Sequence, residues 1–134
     1  MSSAFEVFKD CGWPAWICVL LGAAGLTAGF VGLVFLLTRA RSVAWIPGAI
    51  ALLLGGGALS MGVVGRQWGL SRMEEALTSA RGEIDPSQEQ RIREQGTIEA
   101  GHCVSVGFGA GSLPFVMGGL AVAIGLVLRK KPAA

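Results

Sequence analysis

The chain has 134 residues, of which 52% are hydrophobic, 15% charged and 21 are glycine, with a mean hydropathy of +0.60 and a formal net charge of +2. Soluble domains usually carry about 25% charged residues and about 7% glycine, so the composition excludes a disordered chain, a collagen-like repeat and an ordinary water-soluble globule. The length excludes a two-domain enzyme. What remains is an all-α integral membrane protein with a single membrane domain over residues 1–134.

In chain order, residues 1–13 carry Glu6 and Asp10 against Lys9. They lack the basic stretch that opens a cleavable secretory signal, and the apolar run that follows is too long for one. Residues 14–38 form the first block free of Asp, Glu, Lys, Arg and His; residues 43–65 and 103–128 form the second and third. Each exceeds the roughly 20 residues a helix needs to cross a hydrocarbon core. A lipid-facing backbone must satisfy its own hydrogen bonds, so helix is the expected conformation. Three transmembrane helices are therefore predicted, the first two joined as an antiparallel hairpin by residues 39–42. Pro47 and Pro114 are candidate kinks.

Small residues recur at steps of three and four in each block. They are Gly22, Gly25, Gly29 and Gly32 in the first, and Ala51, Gly55, Ala58, Gly62 and Gly65 in the second. The third has Gly107, Gly111, Pro114, Gly118, Ala121 and Gly125. Such spacing keeps residues on one helix face. Lipid tails give helices no hydrophobic reason to associate, so smooth faces that admit close backbone contact supply the attraction. The three helices of one monomer packing on each other is the simpler reading; a homo-oligomer or a complex with a single-span membrane partner is the functional one. Ala24, Ala28, Gly56, Gly57, Gly109 and Gly119 leave room for a second contact face.

Residues 66–102 form a polar segment predicted to be helical. Ser71 to Glu74 has the pattern of a capping box opening a helix to about Arg81, with Gly82 as its stop. Asp85 and Pro86 read as N-cap and first position of a second helix that passes Ile92 into the third span. Gly96 and Gly101 mark a candidate bend. Charges alternate in sign along the segment, as on a solvated face. Basic residues set the orientation. Arg39, Arg41, Arg129, Lys130 and Lys131 adjoin span ends without an acid, whereas all nine acids share the other side with the remaining cations. The positive-inside rule places the former in the cytoplasm, leaving the N-terminus and residues 66–102 outside, in the periplasm of a bacterial inner membrane. Trp13, Trp16, Trp45 and Trp68 fall near span ends, as interfacial anchors do.

Chemistry is sparse. The lone His102 and the spacing of Cys11, Cys18 and Cys103 give no metal set. Gly107-Phe-Gly109-Ala-Gly111 is an apolar run and not a phosphate loop. No cofactor or enzymatic activity is expected, and a net charge of +2 gives no basis for nucleic-acid binding. Cys11 and Cys103 both lie at outer span ends, where an oxidising compartment would permit a disulfide. Two separate free thiols is the simpler expectation. Apart from Thr38 at a span end, only Thr27, Ser60, Ser105 and Ser112 carry hydroxyls within the spans, and no acid, base or histidine marks an ion path.

At the start of the third span the chain reads Gly96-Thr-Ile-Glu99-Ala100, with Gly107 eight residues after the glutamate and Pro114 beyond. The beginning reads Phe5-Glu-Val-Phe8-Lys-Asp-Cys-Gly12-Trp-Pro14. These stretches resemble the MotA/TolQ/ExbB proton-channel family, whose last span and amino-terminal helix read similarly. The resemblance implies a proton entrance near Glu99, His102 and Ser105. Val104 stands at the family's pore threonine, and residues 39–42 stand where the family has a large cytoplasmic domain. The resemblance thus implies a reduced relative with a scaffold or modulating role. A non-transporting accessory protein and a holin-like pore former are the alternatives, and the structured polar segment speaks against the second.

Overall fold

The computed structural model describes residues 4–38 and 41–130, so Arg39 and Lys131 of the basic clusters lie outside the described residues. The fold is all-helical. A short helix α1 (Ala4–Cys11) precedes α2 (Trp13–Leu37), a 3-10 turn at Arg41–Val43, α3 (Trp45–Ser79) and α4 (Pro86–Lys130). Three of these, α2, α3 and α4, are long and apolar enough to cross a membrane.

The chain turns between α1 and α2 at Gly12, whose φ of 68° is open to glycine and strained for other residues. Its amide donates to the Lys9 carbonyl oxygen at 3.1 Å, and its own carbonyl accepts from Ala15 at 3.2 Å. Pro14 sits in the first turn of α2, where a missing N–H costs nothing.

The second apolar block and the segment after it are one helix. At about 1.5 Å per residue, the 35 residues of α3 extend about 52 Å and the 45 of α4 about 68 Å, against a hydrocarbon core of about 30 Å. The predicted helix start at Ser71 is absent. Ser71 Oγ instead donates to the Trp68 carbonyl within the same unbroken helix, at 2.9 Å. The physical reason lies in the contact face. Beyond Gly65 the face continues as Gly69 against Ala100, Met73 against Gly96 and a buried Leu77. An unbroken helix keeps those residues against α4 and leaves no helix end to cap. Helix α3 ends at Ser79, the turn after it contains Gly82 with φ 101°, and α4 opens at Pro86 with the Asp85 carbonyl accepting from Gln88 and Glu89. Neither Gly96 nor Gly101 interrupts α4, and Pro47 lies in the first turn of α3, where it breaks no hydrogen bond.

The interior is built of small residues and the exterior of large ones. Ala15, Cys18, Ala44, Ala51, Ala58 and Ala121 are fully or almost fully buried, whereas Leu20, Phe30, Leu53 and Val127 are more than half exposed. Every glycine of the three small-residue faces is buried. On α3 and α4 they meet as antiparallel partners, with Gly48 at Gly118, Gly55 at Gly111 and Gly62 at Gly107. A methyl group on Gly55 would lie 2.9 Å from the Gly111 carbonyl oxygen, and one on Gly111 would lie 2.6 Å from that of Gly55. Helix α2 lies along this pair: Gly22 faces Ala110, Gly25 faces Pro114, Gly29 faces Met117 and Gly32 faces Ala121. Pro114 removes the N–H that would bond the Ala110 carbonyl, and Gly22 comes so close to that oxygen that a Cβ would lie 2.6 Å away. Gly125 approaches the backbone of Trp45 at the far end.

Candidate functional site

Chemistry-bearing side chains gather where α1 meets α3 and α4. Cys11 and Cys103 are joined by a disulfide across 92 residues of sequence, with their Cα atoms 4.9 Å apart. The expectation of two separate thiols is thereby corrected. Spacing along the chain carried no information about the approach of α1 to α4, which Gly65, Ala15 and the turn at Gly12 make possible. Cys11, Ala15 and Cys103 form a small buried core, with Phe8 and Val106 against it. Cys18 is the one free thiol among the described residues, buried in α2 with its Sγ 3.5 Å from the Ala58 carbonyl oxygen.

The disulfide sets the neighbours of both cysteines side by side. His102 Nδ1 lies 3.2 Å from Asp10 Oδ2, and in the tautomer that carries a proton there it donates to the carboxylate. Both side chains are partly exposed, at 26% and 37%. One turn back on α4, Gln95 Nε2 donates to Glu99 Oε1 at 3.0 Å. Asp10, Gln95 and Glu99 line two adjoining spaces. One is a cavity of about 360 Å³ between α1, α3 and α4, completed by Gly65, Trp68, Gly69, Met73, Ile92, Gly96, Ala100 and the two bonded cysteines. The other is a more open cleft that adds His102, Arg91, Glu94 and Ile98. Trp68 is fixed by Trp13, edge-on at 6.0 Å, and by the Arg72 guanidinium 5.1 Å from its ring centre.

Of the residues expected at a proton entrance, Glu99 and His102 thus share the open cleft. Ser105 lies one turn beyond His102, exposed on α4, and lines neither space. Asp10 and Gln95 were not singled out from sequence. Asp10 carried no local signal, since its meeting with His102 depends on the approach of α1 to α4. Gly48 and Gly69 were likewise passed over, although with Gly55 and Gly62 they form a strict seven-residue series. Among the described residues no three His, Cys, Asp or Glu side chains converge on one metal position. No protein-family model matches the chain, and no curated protein or solved structure matches it either.

Proposed function

We propose that this chain is a multi-pass protein of a bacterial inner membrane that acts as a close-packed scaffold or modulating subunit, without carrying ions itself. The observation that carries the reading is the closure of the helix contacts. Apart from Leu77, the buried positions of α2, α3 and α4 are glycine, alanine, proline and cysteine in close contact, and no polar or charged side chain is buried among the described residues. An ion path through a bundle needs polar or ionisable groups to replace water, and this interior offers only an apolar seam.

Two independent features support the orientation. Disulfides persist in oxidising compartments, which favours the periplasm for the end holding Cys11, Cys103 and the α3–α4 hairpin. The opposite end carries Arg129 above the Trp45 ring, together with the clustered basic residues of the linker and tail, which favours the cytoplasm. The outward-reaching hairpin is then the working part, available to a single-span partner or to a second copy.

The second reading, a degenerate relative of the MotA/TolQ/ExbB channels, draws its support from Glu99, His102 and Asp10 gathered at one end of α4. Proteoliposomes loaded with a pH-sensitive dye distinguish the two. Under an applied potential the purified chain should acidify the lumen no faster than empty vesicles. Flux above that level that Glu99→Gln removes would establish the channel reading instead. Lysis on induced expression would favour the holin-like alternative.

A further inference from the structure

We propose that the cavity between α1, α3 and α4 is a binding site for a small organic cation with an apolar body, an ammonium compound rather than a metal ion. The cavity has a volume of about 360 Å³, within the range of small-molecule sites. Its lining divides into two parts. Trp68, Met73, Ile92, Ala100 and the disulfide form an apolar wall and floor. The polar groups are Asp10, Gln95 and Glu99, two carboxylates and an amide, and no lysine or arginine among the described residues lines it.

The charges that face these carboxylates leave the site cation-selective. Asp10 meets His102 at 3.2 Å, and both His102 and Arg91 line the adjoining cleft and not the cavity. Arg72 lies over the Trp68 ring, 5.1 Å from its centre, and is not among the residues lining the cavity. Glu99 accepts a hydrogen bond from the neutral amide of Gln95. Two like charges across a partly enclosed apolar space attract a monovalent cation and repel an anion. A bare metal ion would find two carboxylates and one amide oxygen among the lining side chains, too few to replace its water shell. A quaternary or primary ammonium group on a hydrocarbon or aromatic body meets both halves of the lining. It also keeps its apolar part against Met73, which adapts to irregular shapes. The disulfide and the Asp10–His102 contact pin α1 as one wall, so the site is formed before the ligand arrives.

The test uses the full chain in detergent micelles, with benzyltrimethylammonium as the probe and an uncharged analogue of the same shape as the control, both by calorimetric titration. Saturable binding of the cation is expected, with no saturable binding of the neutral analogue. Glu99→Gln keeps size and hydrogen-bonding capacity and should weaken the cation about tenfold. Ile92→Trp, at a partly exposed position of the cavity lining, should block the cavity without altering its charge, and helix content by circular dichroism checks that each variant folds. The proposal is overturned if the cation does not saturate, if the neutral analogue binds equally, or if the folded Glu99→Gln and Ile92→Trp proteins bind as the parent does.

Discussion

A methyl group added at Gly118 would lie 2.5 Å from the Leu52 amide nitrogen and 2.6 Å from the Gly48 carbonyl oxygen. Both are backbone atoms of a facing helix and cannot rotate aside, so α3 and α4 must separate. Gly118→Ala should therefore lower stability by about 1–3 kcal/mol, as overpacking does elsewhere. At Gly109 a Cβ would meet nothing within 4 Å. Gly109→Ala should leave stability unchanged or raise it by up to about 1 kcal/mol through reduced unfolded-chain freedom. Denaturation in detergent micelles measures both. Equal effects at the two sites would contradict the contacts described. The residue scale thus separates two glycines that composition treats alike: one is required by a facing backbone and the other is not.

At the scale of the element, the continuity of α3 through Ser71 and the attachment of α1 are the features with consequences. Arg72 occupies an interior position of α3. Arg72→Pro should remove a helical hydrogen bond and cost about 3 kcal/mol. Were Ser71 a true helix cap, proline at the next position would be tolerated, so the loss of stability itself distinguishes the two arrangements. Helix α1 is held by the Cys11–Cys103 bond, the Asp10–His102 contact and the Phe8–Trp16 rings, whose centres are 5.1 Å apart. Cys103→Ser should abolish the mobility difference between reduced and non-reduced protein on gels. It should also destabilise the fold by about 2–4 kcal/mol, the usual contribution of a disulfide closing a long loop. A parent protein with no such mobility difference, and two alkylatable thiols at these positions, would refute the bond.

For the whole molecule, a bundle with large apolar side chains outside and glycine inside inverts the arrangement of a water-soluble protein. Dispersion contact along the glycine seam takes the place of apolar burial as the source of helix association. Orientation is testable at this scale. A reporter active only in the cytoplasm should work when fused after Ala134 and fail when inserted at the exposed turn by Gly82, a site where insertion leaves both helices intact. The opposite pattern would reverse the proposed topology.

The number of apolar helices, the limits of α2, the start of α3 and the faces the helices turn to one another were legible in the sequence, but the continuation of α3 through Ser71 was not. Block length, hydropathy and steps of three and four are local properties of the chain. The turn at Gly82 and the start at Pro86 were legible for the same reason, since each depends on the backbone freedom of one or two residues. Tertiary structure decided which glycine meets which. It also decided that the face outlasts the apolar block through Gly69, Met73 and Leu77, and that Cys11 reaches Cys103. The same is true of the meeting of Asp10 with His102 beside Glu99. These partners lie far apart in sequence, and no local pattern encodes the register at which α1, α3 and α4 come together. That register follows from the closest approach the glycine backbones allow, which is a property of three helices at once.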